Sequence, residues 1–230
     1  VSEIRKLQTD FRKEIRLYLG LEIDYIPGVT GRSKHILKDL ELDYFIGSVH
    51  FVNCFADGVY WNIDTTTEEF VRGLRDIFQN DIRKAATRFW EITRAMIEED
   101  KPPVIGHLDK IKMFNQNSRY FSENEGWYTD QVMLTLELIR KHNCIVEINT
   151  RGVYRYGQPD LYPGEWIIRK LARKDIPVVI NSDCHRPDEL VKGMDFAAKT
   201  LLSSGIEKVH VLEGTVWKEH KLVAGGVVFN

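Results

Sequence analysis

The sequence carries no surplus of charge of either sign: 32 Lys and Arg stand against 34 Asp and Glu, a formal net charge of -2. A chain that grips a polyanionic backbone needs a basic excess to displace its counterions, so no nucleic-acid partner is expected. Cysteine is scarce as well. Cys54, Cys144 and Cys184 are odd in number, far apart and set in or near apolar runs, which excludes a disulfide framework and points to a reducing, cytoplasmic setting. No apolar run approaches the roughly 20 residues that span a bilayer. The charged opening VSEIRKLQTDFRKEIR is unlike a signal peptide, so no membrane partner is expected. Gly/Ser-rich linkers, internal repeats and low-complexity segments are also lacking. What remains, at 230 residues with 43% hydrophobic and 29% charged, is a single domain over 1–230, large enough to bury a substantial core. Nothing in the sequence sets an oligomeric state.

What is present is an alternation of short apolar runs with helical periodicity. Ile4, Leu7, Phe11, Ile15 and Tyr18 recur at helical spacing and predict a helix over 2–18. Further helices are expected over 32–40, 67–78, 81–100, 127–142, 164–175 and 189–205, the third of these stopping before Pro102 and Pro103. Between them, LGLEIDYI (19–26), DYFIGSVHFV (43–52), PPVIGH (102–107), NCIVEINT (143–150), IPVVINSD (176–183) and EKVHVLEG (207–214) read as six strands. Strand and helix in alternation argue for parallel βαβ units, an α/β fold.

Polar residues fall at or near the carboxyl ends of five of these strands. Glu22 lies in the first, His50 and His107 close the second and third, Glu147 and Asn149 end the fourth, and Asp183 with His185 follow the fifth. In a barrel of parallel strands those ends share one mouth, so residues far apart in the chain meet there. A purely structural explanation requires ionisable groups to recur at the same end of five apolar strands, each needing a partner to offset its desolvation. Three imidazoles and two carboxylates are nitrogen and oxygen donors suited to two or more Zn, Mn or Fe ions. Glu22, with two oxygens, can bridge a pair. Metal and water supply a hydroxide at neutral pH, and a paired site clamps both oxygens of a displacement at phosphorus.

The segments GLEIDY (20–25), IGSVHF (46–51), IGHLDKIKMFN (105–115), VEINTRGVYR (146–155) and INSDCHRPDEL (180–190) resemble, in that order and over nearly the whole chain, those of the polymerase and histidinol phosphatase (PHP) superfamily of metal-dependent phosphoesterases. Within it the chain is similar to the histidinol-phosphatase branch. The resemblance implies a distorted (β/α)7 barrel, two to three divalent metal ions, and removal of phosphate from a small phosphorylated substrate, L-histidinol phosphate, in histidine biosynthesis. It implies Glu22, His50, His107, Asp183 and His185 as metal ligands, with Glu22, His107 and Asp183 also the catalytic residues. Glu147 and Asn149 would line the substrate pocket. Arg151 or Arg155 would hold the phosphate, since a guanidinium forks onto two of its oxygens.

The family's first strand, bearing a His-x-His pair, has no counterpart here. The expectation is therefore that a segment carrying it precedes Val1. Alternatives are a nucleotide phosphoesterase or nuclease of the same superfamily, or a barrel that binds without turnover. Asp24, on the same strand face as Glu22, is placed to bond a ligand imidazole. Asp109 and Lys110 either touch substrate or solvate a loop. Tyr60, Trp61 and Asp64 follow His50 in a loop placed to recognise substrate or simply to pack. Arg186 either guides an anion or is solvated, and Cys184 is expected to pack. His35, His142, His210 and His220 are expected to play no part in the site.

Overall fold

The computed structural model describes residues 1–32, 37, 40–157 and 160–229. The helix expected over 32–40 falls largely outside that set. Five strands form one parallel sheet: β1 (Gly20–Asp24), β2 (Tyr44–Ser48), β5 (Val104–Ile105), β6 (Ile145–Asn149) and β7 (Val178–Asn181), neighbours in that order. Spatial order follows chain order. Right-handed crossovers then all fall on one side and wind the sheet in one direction, as in the wall of a barrel rather than in a doubly wound sheet. Helices α2 (Thr67–Phe78), α3 (Ile82–Glu99), α4 (Gly126–His142), α5 (Arg151–Tyr156), α6 (Glu165–Arg173) and α7 (Met194–Ser203) occupy the connections.

Several ends are set by local chemistry. Thr66 and Asp81 cap α2 and α3 by accepting from the backbone N–H of Glu69 (3.1 Å) and Lys84 (3.0 Å). Asn143 ends α4 in the left-handed region, φ +54°.

The register separates two faces. Glu22 pairs with Ile46, Ile46 with Val104 and Val104 with Ile145, so these four side chains share one face. Two residues further along, the same face carries Asp24, Ser48, Gly106, Glu147 and Val179, and beyond them Asn149 and Asn181. This face is apolar at the amino ends of the strands, where Val104, Ile145 and Val179 pack with Ile46 and Trp217. It turns polar toward the carboxyl ends. The opposite face, with Ile23, Ile105, Val146, Ile148 and Val178, is buried almost completely, and most of it joins the main core under the helices, where Trp61, Phe70, Phe89, Trp90 and Tyr128 are buried.

Three expectations are corrected. The helix predicted over 2–18 is α1 (Ser2–Asp10) and buries no residue. Phe11 and Ile15 are exposed, so the apolar stripe has no surface to cover and the helix stops. What holds this segment is polar: Asp43 accepts from Arg5 (2.9 Å), Gln8 (2.8 Å) and the Leu19 N–H (2.6 Å). The strand expected over 43–52 is broken after Ser48. Its continuation, β3 (Phe51–Cys54), turns away to pair antiparallel with β4 (Tyr60–Asn62). The sixth expected strand, β8 (Lys208–Glu213), does not extend the parallel ladder; it pairs antiparallel with β9 (Val216–Val223), which pairs with β10 (Gly226–Val228). Trp217 of β9 packs edge-on against Tyr44, ring centroids 5.8 Å apart. No helix among the described residues is long and apolar enough to cross a membrane.

Candidate metal centre

The polar end of the inner sheet face is where the strands release their side chains. Gly106 precedes His107 because nothing larger fits: an added Cβ would sit 2.3 Å from Ser48 Oγ and 2.9 Å from Ile46 Cγ2. His107 and Asp183 leave their strands with positive φ, +21° and +51°. Such conformations cost non-glycine residues of order 1–3 kcal/mol and persist where the surroundings enforce them. At His107 the enforcement is visible, since its N–H donates to the buried Glu147 Oε2 at 2.7 Å.

Glu22, His50 and His107 come together. Glu22 Oε1 lies 2.8 Å from His107 Nε2 and 3.7 Å from His50 Nε2, and one donor atom from each residue lies within 4.8 Å of the others. The two imidazoles meet edge-on, with planes at 60° and centroids 4.6 Å apart. His50 Nδ1 bonds Asp24 Oδ1 at 2.5 Å, so its Nε2 is the nitrogen turned toward Glu22. A carboxylate behind one imidazole nitrogen with the other left for a cation is a recurrent arrangement at metal sites. Burial opposes charge on Glu22, yet the hydrogen bond and charge of His107 and the charge of His50 outweigh it, and its carboxyl is held far below the usual range. Burial likewise disfavours the His50 imidazolium, but Asp24, Asp64 and Glu22 outweigh it and raise the pKa. Two neutral imidazole nitrogens and a carboxylate oxygen fit a divalent transition ion such as zinc.

Glu147 is 3% exposed, and burial raises its pKa. It accepts from His107 N–H, from Asn149 Nδ2 (3.1 Å) and from Asn181 Nδ2 (2.9 Å). Asn149 Nδ2 also donates to Asp183 Oδ2 at 3.1 Å. Asp183 is thus joined to the triad through two buried side chains. Arg151 donates to the Asp183 carbonyl (2.6 Å) and to His185 Nδ1 (2.7 Å). His185 and Arg155 stand at the rim, with side chains 66% and 51% exposed. The Arg155 guanidinium is 4.0 Å from Glu189, whose carboxylate also accepts from the His185 N–H at 3.2 Å. Glu147 and Asn149, expected to line a substrate pocket, are buried members of the hydrogen-bond network that links His107 to Asp183.

For other residues the structure decides between the readings the sequence leaves open. Trp61 is fully buried between Phe70 and Phe78 and is a core residue. Asp64, from the same loop, reaches the site: its Oδ2 is 3.6 Å from His50 Nε2 and 3.3 Å from Lys110 Nζ. Asp109 is buried against Lys112 at 2.8 Å. Burial outweighs that partner and pushes its pKa up to about 6. Asn181 and Glu189 were not anticipated; the signal for Asn181 was its alignment with Asn149, visible only once the strands are in register. His35 lies outside the described residues.

Comparisons with known proteins identify the family. Residues 1–151 match the family model described as PHP domain. Relatives include the "Probable histidinol-phosphatase" of Schizosaccharomyces pombe, 25% identical over 215 residues, 93% of this chain and 68% of the relative. A second is the protein of the same name from Deinococcus radiodurans, 27% identical over 197 residues, 86% of this chain and 67% of the relative. Among solved structures, a candidate histidinol phosphatase from Listeria monocytogenes superposes with a TM-score of 0.73 at 22% identity, covering 85% of this chain and 73% of that one. The histidinol phosphate phosphatase of Lactococcus lactis, solved with zinc, L-histidinol and phosphate, does so with a TM-score of 0.62 at 15% identity, covering 94% and 77%. With well over half of its residues matched by the family model, the chain belongs to the PHP domain family.

Proposed function

We propose that the protein is a metal-dependent phosphomonoester hydrolase, a histidinol-phosphatase that converts L-histidinol phosphate and water to L-histidinol and phosphate. The observation that carries this is the convergence of Glu22, His50 and His107 from three separate strand ends, with donor atoms within 4.8 Å of one another. The substrate follows from the relatives named histidinol-phosphatase and from the Lactococcus lactis protein that holds L-histidinol and phosphate. Its setting is cytoplasmic, in keeping with three free cysteines.

Glu22, His50 and His107 would hold one divalent ion, Zn, Mn or Fe. Asp183 and His185 would add donors for a further ion. Ions held there would activate water and offset charge growing on the phosphoryl oxygens. The chain's own residues fix the donors. Asp24 orients His50, Glu147 anchors the backbone at His107, and Asn149 fixes the Asp183 carboxylate. Arg151, already beside Asp183 and His185, supplies a cation for the phosphate at the rim, and Arg155 a second.

The test is phosphate release by the full chain, loaded with zinc or manganese, from L-histidinol phosphate and from a nucleoside monophosphate. Turnover of the first at least 100-fold faster is expected. Equal or preferred turnover of the nucleotide contradicts the substrate, and no release from either contradicts the hydrolase.

A further inference from the structure

A buried lysine that the proposed function leaves without a role lies one carboxylate away from the metal triad. Lys110 follows His107 in the turn after β5, and its side chain is 5% exposed. Burying an ammonium costs several kcal/mol unless a partner offsets it. Lys112, two residues on, is held by Asp109 at 2.8 Å and Asp160 at 3.4 Å. Lys110 turns instead toward the site. Its Nζ lies 3.3 Å from Asp64 Oδ2 and 5.3 Å from the centre of the Tyr162 ring. Tyr162 is itself tied through its main chain to Asn149, N–H to carbonyl in both directions, at 2.7 and 3.2 Å. The ammonium is therefore fixed from three sides of the site: its own turn, the loop of Asp64, and the segment paired with the end of β6.

The oxygen of Asp64 that meets Lys110 also lies 3.6 Å from His50 Nε2, the nitrogen facing Glu22. Because both contacts share that oxygen, Lys110 Nζ is within about 7 Å of the triad, a span that one oxyanion between a cation and an ammonium can fill.

We propose that Lys110 binds the phosphoryl group of the substrate, and that the Asp64 carboxylate occupies its ammonium until that anion arrives. This rests on the phosphatase reading and adds a residue to the same site. A lysine presents a compact charge with three donors, and a phosphate dianion is a stronger oxyanion partner than a single carboxylate. Arg151, beside Asp183, and Lys110, beside Asp64, then both contact the phosphoryl group.

The test is titration of inorganic phosphate into the zinc-loaded full chain by calorimetry, comparing wild type with K110M, K110R, D64N and K110M/D64N. K110M should weaken phosphate binding 10- to 100-fold, and K110R by less than 10-fold. D64N, which frees the ammonium, should tighten it at least twofold. The double variant removes both charges together, so it folds without a buried unpaired ion, and it should bind as weakly as K110M. Binding within threefold of wild type in K110M or in the double variant overturns the proposal and leaves the phosphatase reading intact. Equal weakening in D64N and K110M also overturns it, since the pair would then serve the fold alone. Zinc-loaded wild type that binds no phosphate overturns the phosphatase reading itself.

Discussion

Replacing Gly106 by Ala probes how tightly the fold constrains the metal centre. The new Cβ would lie 2.3 Å from Ser48 Oγ and 2.9 Å from Ile46 Cγ2, both inside the distance at which unbonded heavy atoms rest. The backbone cannot yield easily, because the Gly106 N–H donates to the Gly47 carbonyl at 2.9 Å within the ladder. The Ser48 hydroxyl can rotate away; the Ile46 methyl, packed with Val104 and Ile145, cannot. Overpacking of this kind costs about 1–3 kcal/mol. For a chain of this size a loss of 2 kcal/mol lowers Tm by about 4–8 °C. The neighbouring His107 must move with it, and a displacement on the order of 1 Å at a catalytic group costs about 100-fold in rate. Differential scanning calorimetry and a phosphate-release assay measure the two effects. S48A introduced on top of G106A removes the closer clash and should recover roughly 1 kcal/mol, a coupling expected of residues in contact. If G106A keeps the wild-type Tm and activity, or if S48A adds to its loss, the packing argument for Gly106 is wrong.

Other outcomes follow from the same geometry. H107A should abolish turnover by 1,000-fold or more and lower the bound zinc measured by elemental analysis, while circular dichroism stays native; undiminished activity rules His107 out. Removal of the α2 cap by T66A should cost about 1 kcal/mol, read as a Tm lower by about 2–4 °C with unchanged kcat; a greater effect on kcat than on Tm would speak against a purely structural cap. Protonated imidazole cannot ligate a cation, and the pKa of His50 is raised. Zinc affinity of the metal-free chain should therefore begin to fall above about pH 6.5 as pH is lowered. Without metal the sign for stability is opposite: the protonated His50 pairing is worth most below the ordinary histidine pKa and is lost as pH rises through the raised one. Unfolding of metal-free protein across pH 5–9, with H50A as control, distinguishes the two.

The parallel sheet was legible because its central strands, β5 and β6, are buried on both faces and the strands read as unbroken apolar runs, as in NCIVEINT and IPVVIN. The candidate ligands were legible because they interrupt those runs at one end. The elements that escaped detection lack that contrast. β9 carries Lys218, Glu219 and Lys221 among its apolar residues and has one face to solvent, so its pattern is weak. α1 shows the periodicity of an amphipathic helix, but periodicity cannot report whether a surface exists for the stripe to cover. Lys110 reads in the sequence as a substrate contact or a loop cation, because Asp64 and Tyr162, which pack against it, lie far away in the chain. Glu147 was recognised as important but read as pocket lining. Only the alignment of β6 with the segment ending at Gly106 shows that its carboxylate turns inward, beneath His107.

The most direct measurement is anomalous scattering at the zinc edge from crystals of the full chain grown with zinc. The account predicts a peak about 2.0–2.2 Å from a Glu22 oxygen and from Nε2 of both His50 and His107. A peak placed elsewhere, or no peak at these three residues, would contradict it.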